Sequence, residues 1–349
     1  MDEILNFRSE MNISNSTDFT RYTNLLHALP GQRWGGNQTQ ANAATQSQSV
    51  SSLPPLPHTQ NPADRFAVIG DSGTEDWRQT AVAQQLSYWY GISPFQSVLM
   101  LGDNVYPAGN PAQFQDRIAN PYADLFQHQV RFLPVLGNHD VKAGFGNWQL
   151  AYWGVPPYYH YKLGPKGSEV EFWAIDTNLM TPGLDVTGPN NDSLVRQQKA
   201  ACQLQWLEQT LANSSAAMKV LYAHHPLYSR GADTKPIRAW QQAELAKTLA
   251  PLLAKYDVDL YMSGHEHHYE KPRLVNGTYH LVSGAGGNID SAKRGGAESS
   301  EIMKQLHFMM FDITPEGLSY QTVSLTGQIL DQGLIPKRST IGQRLSMNA

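Results

Sequence analysis

Two histidines, His265 and His267, lie two residues apart directly after an apolar run and a glycine. The run from Val258 to Met262 predicts a buried strand, and Gly264 permits a sharp turn at its end. A turn can direct both imidazoles at one point, which is the arrangement that a metal ion requires. Because histidine pairs also occur as ordinary surface residues, the pair alone does not establish a metal site.

Metal-capable side chains also follow four other apolar runs in the sequence. They are Asp71, Asp103, Asn138 and His224, each at the C-terminal end of its predicted strand. In open α/β sheets the C-terminal ends of the strands gather around one crevice, where ligands bind. A single Gly-Asp after a strand is most often a turn or a helix cap. Five coincidences at one edge of a sheet favour a metal site instead.

The chemistry of this set indicates which ions it suits. Carboxylate, amide oxygen and imidazole together bind hard-to-borderline ions such as Fe, Mn and Zn. The candidates are too many for one four-coordinate ion, and a carboxylate can bridge two. Two ions about 3.5–4 Å apart are the usual arrangement for hydrolytic phosphoryl transfer.

The elements that position these residues alternate between apolar runs and helical patterns. Strands are predicted over 66–69, 97–101, 132–136, 170–175, 219–223 and 258–262, and helices over 78–90, 112–127, 197–212 and 239–256. After Gly264, residues 278–282, 307–313 and 318–323 predict strands without intervening helices. The pattern predicts a layered α/β (α+β) protein whose last strands form a mostly antiparallel sheet.

Composition limits the domain organisation and the partners. Residues 1–61 are rich in Asn, Ser, Thr and Gln, which predicts a polar, low-complexity extension before a catalytic domain over 62–335 and a tail over 336–349. The net charge of −4 gives no reason to expect nucleic acid as a partner. The single cysteine, Cys202, excludes an internal disulfide and is predicted to be buried on a helix. No apolar run approaches the ~18 residues of a membrane span, and no signal peptide is visible.

Five blocks of the sequence resemble, in order and approximate spacing, those of the calcineurin-like metallophosphoesterases. The blocks are Gly70-Asp71, Gly102-Asp103, Gly137-Asn138-His139, His224 and Gly264-His265-Glu266-His267. Gly73, where many members carry histidine, and Tyr106, three residues after Asp103, make the chain similar to the purple acid phosphatases. The resemblance covers about residues 64–325 and implies the small, single-domain form. The implied fold is a central β-sandwich of mixed sheets flanked by helices, with the metal site at the C-terminal ends of the strands.

The resemblance also implies two sets of metal ligands, position by position. Fe(III) would be bound by Asp71, Asp103, Tyr106 and His267. A divalent ion, Fe(II), Zn(II) or Mn(II), would be bound by Asp103, Asn138, His224 and His265. Asp103 would bridge the two ions. The donor types agree with this division, because a phenolate with carboxylates favours a hard trivalent ion and imidazoles favour a divalent one.

The identity of the catalytic acid stays open at the level of the sequence. His139 is a candidate for contacting the phosphate or protonating the leaving group, or for orienting a metal ligand. Small animal relatives carry a further histidine where this chain has Asp233, and usually a tyrosine where it has His225. His225, Asp233 or His268 could therefore supply the missing acid or phosphate contact.

The function that the resemblance implies is a dinuclear acid phosphatase, which hydrolyses phosphate monoesters by attack of a metal-bound hydroxide. Two alternatives are a Mn/Zn phosphodiesterase of the same superfamily and a non-catalytic scaffold on the same fold. The expected partner is a small phosphate ester, without nucleic acid or a membrane span. The resemblance favours a secreted or periplasmic location, and the oligomeric state is not predicted.

Overall fold

A computed structural model of the chain describes residue 61 and residues 64–165, 169–184, 193–231, 236–289 and 301–338. All of these residues belong to one of the chain's two units, Pro54–Ala349. The predicted N-terminal extension lies almost wholly outside the described residues, as does most of the predicted tail. The three domain boundaries therefore stay predictions.

The described strands form two mixed sheets. In chain order they are β1 (Arg65–Ile69), β2 (Ser97–Met100), β3 (Arg131–Pro134), β4 (Tyr159–Leu163), β5 (Val170–Ala174), β6 (Met218–Tyr222), β7 (Leu260–Ser263), β8 (Tyr269–Val275), β9 (Thr278–Ser283), β10 (Ile302–Met303), β11 (His307–Ile313), β12 (Gly317–Ser324) and β13 (Ile329–Pro336). The first sheet has the order β13-β12-β11-β1-β2-β3, and the second has the order β10-β8-β9-β7-β6-β5-β4. The predicted fold class is thereby confirmed.

Parallel strands occupy the part of each sheet that carries the predicted ligands. Strands β1, β2 and β3 are mutually parallel in the first sheet, and β5, β6, β7 and β9 are parallel in the second. Strands β11, β12 and β13 pair antiparallel, as predicted for the last part of the chain. The parallel strands bring their C-terminal ends to one edge of each sheet, where ligands bind in such folds.

The two sheets pack face to face through a core of large apolar side chains. Phe66 of the first sheet packs edge-on against Phe172 of the second, with ring centroids 5.1 Å apart, and stacks on Phe311 at 5.0 Å. All three rings are fully buried. Aromatic pairs at these separations add specific geometry to the area that they bury. The sandwich is therefore a rigid support for the loops at its edge.

Helices flank the sheets. They are α1 (Trp77–Ile92), α2 (Ala123–Gln127), α3 (Asn138–Val141), α4 (Gly146–Trp153), α5 (Ser193–Asn213) and α6 (Pro236–Lys255). The prediction of one helix over 112–127 was wrong, because this stretch divides into a 3₁₀ turn (Pro111–Gln113), a wider turn (Gln115–Ala119) and α2. Pro121 has no N–H to donate into the preceding turn, which accounts for the interruption.

Other expectations from the sequence also needed correction. Strands β4, β8 and β13 were missed, because their exposed and half-buried positions dilute the apolar signal. Cys202 is exposed, whereas the sequence predicted a buried side chain. The buried face of α5 comprises Gln203, Leu207 and Leu211, and one residue along a helix rotates the side chain by about 100°.

Asp176 follows β5 and caps the short helix Thr177–Leu179. Its Oδ1 accepts hydrogen bonds from the backbone N–H of Asn178 at 2.9 Å and from Asn178 Nδ2 at 2.7 Å. The side chain is 6% exposed, and burial raises the pKa of Asp176 from 3.8 to about 6. The folded chain therefore holds a proton on Asp176 more tightly than the unfolded chain does.

We expect Asp176→Asn to stabilise the protein at pH 7 and to have little effect near pH 4. The raised pKa means that ionisation of Asp176 costs stability as the pH rises from about 4 to about 6, by at most about 3 kcal/mol, and asparagine does not ionise. Its Oδ1 can keep both hydrogen bonds to Asn178. Urea denaturation at the two pH values measures the difference, and a variant less stable than the wild type at pH 7 would contradict it.

Candidate metal centre

Three of the residues at the strand ends have a left-handed backbone. Asp71, Asp103 and His265 have φ values of 55°, 53° and 69°, and each follows a glycine. Such values are uncommon for residues other than glycine and persist only where surrounding contacts enforce them. Asp71 Oδ2 accepts the N–H of His265 at 2.8 Å, and Asp103 Oδ1 accepts the N–H of His139 at 2.9 Å. The strand ends thus fix one another.

A first group of ligating atoms comprises Asp71, Tyr106 and His267. Tyr106 Oη lies 3.2 Å from Asp71 Oδ1 and 3.1 Å from His267 Nε2, and the last two atoms are 3.4 Å apart. Two ligands bound at 2.0–2.2 Å to the same ion stand roughly 3 Å apart. The spacing of the three atoms therefore fits a single ion between them.

A second group comprises His224, His265 and Asn138. His224 Nε2 lies 3.1 Å from His265 Nδ1 and 3.1 Å from Asn138 Oδ1. The other ring nitrogen of His224, Nδ1, lies 2.8 Å from the carbonyl oxygen of Leu101. A neutral histidine that donates Nδ1–H to a carbonyl presents an unprotonated Nε2, which is the form that binds metal. This spacing also fits one ion.

Asp103 lies between the two groups. Its Oδ1 is 3.5 Å from His224 Nε2 in the second group. Ligating atoms of Asp103, Asp71 and His267 all lie within 4.8 Å of one another. All seven predicted ligands are therefore brought to one place, and their donor atoms fit a dinuclear centre.

Burial makes this cluster dependent on a compensating positive charge. Asp71 and Asp103 are 0% and 1% exposed. Burial opposes ionisation of Asp103, but His224 and His139 outweigh it and lower the pKa of Asp103. Burial and then the carboxylates of Asp103 and Asp71 raise the pKa of the Tyr106 phenol well above its ordinary range. A metal cation in place of the phenol proton would favour the ionised forms of both Asp103 and Tyr106.

Two glycines permit this close approach. A Cβ at Gly137 would overlap the carboxylate and backbone N of Asp103, and a Cβ at Gly264 would overlap Asp71 Oδ2. The glycines before Asn138 and His265 therefore let the chain pass directly against two of the predicted ligands, Asp103 and Asp71.

The loop that carries Asn138 is organised by a buried carboxylate that the sequence did not single out. Asp140 accepts hydrogen bonds from the N–H groups of Gly137, Asn104 and Val105 at 2.8, 3.1 and 2.9 Å. It also accepts from Gln149 Nε2 at 2.7 Å. These bonds join the loop after β3 to the loop after β2. Burial, together with Asp103, raises the pKa of Asp140 to about 6.

The candidate acids occupy different surroundings. His139 is the most accessible of the three described candidates, since its side chain is 30% exposed. Its ring lies 4.5 Å from that of Tyr106, and its Nε2 is 4.0 Å from Asp103 Oδ2. His225 is 3% exposed, with Nδ1 2.9 Å from Thr177 Oγ1. His268 is fully buried, and its Nε2 is 2.7 Å from Glu270 Oε1.

Asp233, the remaining candidate, lies outside the described residues. His139 is therefore the candidate acid that the described structure leaves accessible beside the two groups of ligands.

Comparison with known proteins places this geometry in context. The family model described as calcineurin-like phosphoesterase matches residues 64–269. Human tartrate-resistant acid phosphatase type 5 is 27% identical over 322 residues, which cover 82% of this chain and 95% of that protein. Purple acid phosphatase 7 of Arabidopsis thaliana is 26% identical, with 78% of this chain and 86% of that protein covered.

Solved structures share the fold. The purple acid phosphatase PPD1 from yellow lupin seeds superimposes with a TM-score of 0.59 at 18% identity, over 78% of this chain and 54% of that chain. GAP50 of Plasmodium, described as the anchor in the inner membrane complex, gives 0.64 at 20% identity, over 79% and 90%. At these identities the likeness concerns the fold alone.

We expect Asp140→Ala to destabilise the protein by about 2 kcal/mol or more, because the buried N–H groups of Gly137, Asn104 and Val105 lose their acceptor. Urea denaturation measures the change. Asp124→Ala is the matched control, since the Asp124 side chain is 53% exposed and the same change there should leave stability within about 0.5 kcal/mol. Equal effects at the two positions would contradict the role given to Asp140.

Proposed function

Since this chain belongs to the calcineurin-like phosphoesterase family, we propose that it is a dinuclear acid phosphatase of the purple type, which hydrolyses phosphate monoesters. The human and Arabidopsis relatives described above are acid phosphatases, and the match covers 95% of the human one. The proposal goes beyond family membership, because it specifies the metals and the roles of individual residues.

The observation that carries the proposal is the position of Tyr106. Its phenol oxygen lies 3.2 Å from Asp71 Oδ1 and 3.1 Å from His267 Nε2, at ligand spacing. Phenolate and carboxylate oxygens are hard donors, and hard donors favour a trivalent ion. We assign Fe(III) to Asp71, Asp103, Tyr106 and His267.

The second group has softer donors and is assigned to a divalent ion, Fe(II), Zn(II) or Mn(II). His224, His265 and Asn138 would bind it, with Asp103 as the ligand shared between the two ions. When bound, the two ions would supply Lewis acidity that lowers the pKa of a water nucleophile, and positive charge that neutralises the substrate phosphate.

His139 is the side chain that we propose to donate a proton during hydrolysis. His139 Nδ1 lies 2.7 Å from the carbonyl oxygen of Pro107, so this nitrogen carries a hydrogen in either protonation state. Nε2 is then the atom that a further proton would occupy. In that state it can donate to a phosphate oxygen or to the departing alcohol. We propose His139 as the group that protonates the leaving oxygen.

The substrate and the location are part of the same proposal. A small phosphate ester is the expected substrate, and no described helix is long and apolar enough to span a membrane. We propose a secreted or periplasmic protein, in line with the purple acid phosphatase resemblance. A Mn/Zn phosphodiesterase is the rival function. Metal analysis and a visible spectrum of the purified protein distinguish the two functions.

We expect the purified holoprotein to be violet or pink and to hydrolyse 4-nitrophenyl phosphate best below neutral pH. A ferric phenolate absorbs visible light, whereas Mn and Zn centres would be colourless. Metal analysis, a visible spectrum and a pH–rate profile check this. Tyr106→Phe should lose the visible band, and Tyr88→Phe, an exposed tyrosine on α1, should keep it. A colourless, iron-free and fully active wild type would contradict the ferric assignment.

We expect His139→Gln to slow hydrolysis of an alkyl phosphate by roughly 10²-fold or more and to slow 4-nitrophenyl phosphate much less. An alkoxide needs a proton to depart, whereas 4-nitrophenolate does not. The kcat values for the two substrates give the ratio. The control is His128→Gln, since His128 is half-exposed and contacts Asp124 rather than the metal centre. Equal slowing of both substrates would mean that His139 contacts the phosphate without donating to the leaving group.

A further inference from the structure

Arg238, in the first turn of α6, reaches the turn that carries His265 and His267. Its Nη1 donates to Glu266 Oε2 at 2.8 Å and to the carbonyl oxygen of His265 at 3.1 Å. One guanidinium nitrogen therefore holds two consecutive residues of the turn.

The backbone of this turn needs such support. His265 has a φ of 69°, in the left-handed region that disfavours a side chain, and the strain must be offset by contacts around it. Its N–H donates to Asp71 Oδ2 at 2.8 Å, and its carbonyl accepts from Arg238. The backbone N–H and carbonyl of His265 are thus both fixed, the N–H by Asp71, a proposed ligand of the first ion, and the carbonyl by Arg238 of α6.

Glu266 anchors the guanidinium to the interior. Its side chain is 0% exposed, although it lies in sequence between two proposed metal ligands. A buried carboxylate is costly unless a cation and hydrogen bonds compensate it. Arg238 supplies that cation while its own side chain stays 24% exposed. The ion pair therefore joins the turn to a long helix of the sandwich's outer layer.

We propose that Arg238 is a positioning residue, which orients His265 through the turn backbone and thereby sets the affinity of the centre for its second ion. The proposal rests on the proposed function only in requiring a divalent ion at His265. It does not require that the reaction be phosphatase chemistry.

A purely electrostatic role for Arg238 predicts the opposite sign of effect. A guanidinium cation near a metal ion repels it, so removal of the charge alone would leave the affinity for the second ion unchanged or increase it. Loss of a positioning contact behind a metal ligand decreases the affinity, by roughly 10- to 100-fold in known sites. The direction of the change therefore decides between the two roles.

The experiment measures Zn(II) affinity for the second site with a competing chromophoric chelator, starting from protein that holds its first ion. Arg238→Met keeps an unbranched apolar stem and removes the charge and both contacts with the turn. We expect its Zn(II) affinity to fall roughly 10- to 100-fold. Arg238→Lys keeps one charged donor and should recover part of the loss.

A matched control comes from the same helix. Lys247 forms an exposed ion pair with Glu244, three residues away, so Lys247→Met removes one positive charge from α6 without touching the turn. Its Zn(II) affinity should equal that of the wild type. A comparable loss in Lys247→Met would show that the loss does not come from the contacts between Arg238 and the turn, and would overturn the proposal.

The remaining outcomes are also decisive. Zn(II) affinity in Arg238→Met that equals or exceeds the wild-type value would overturn the positioning role. If Arg238→Met does not fold, Arg238→Gln provides the second test, because its shorter, uncharged side chain cannot contact both residues of the turn; a Zn(II) affinity equal to or above the wild-type value there overturns the proposal. A wild type that binds both ions but hydrolyses no phosphate ester would overturn the proposed function and leave this test intact.

Discussion

Two buried carboxylates, Asp71 and Asp103, are the constraint on which the arrangement of the site depends. Both are nearly inaccessible to solvent and follow directly after parallel strands of the first sheet. Each accepts a backbone N–H from a neighbouring loop, but these bonds do not neutralise two negative charges in the interior. Bound cations would do so, and imidazole and phenol groups that can bind such ions converge on the same place.

The second sheet carries the proposed nitrogen ligands, and its packing against the first determines how far these side chains lie from the two carboxylates. His224 and His265 follow β6 and β7, whereas Asp71 and Asp103 follow β1 and β2. The distances between the groups therefore depend on how the two sheets face each other through their shared aromatic core. Side chains in such cores are close-packed and resist displacement. The packing of the core therefore holds the two groups of proposed ligands at a constant separation.

Much of this was predictable from particular residues. The alternation of apolar runs with helical patterns predicted the mixed α/β architecture, and the Gly-Asp, Gly-Asn-His and Gly-His blocks predicted the family, which the match over residues 64–269 confirms. Where prediction failed, local signals were weak. Pro121 divided a predicted helix, half-buried strands such as β4 escaped notice, and Cys202 proved to be exposed.

The sequence by itself determined which donor types are available and in what order, because a glycine and a polar residue after an apolar run have a local physical reason to end a strand. Tyr106, three residues after Asp103, already favoured a resemblance to the purple acid phosphatases over other metallophosphoesterases. Only the tertiary structure decided which side chains support the proposed ligands. Asp140 and Arg238 carry no motif, and Arg238 precedes His265 by a helix and a strand. Their partners are distant in sequence, so only the packing of the sheets and helices could reveal that the turn carrying His265 and His267 is fixed from two sides.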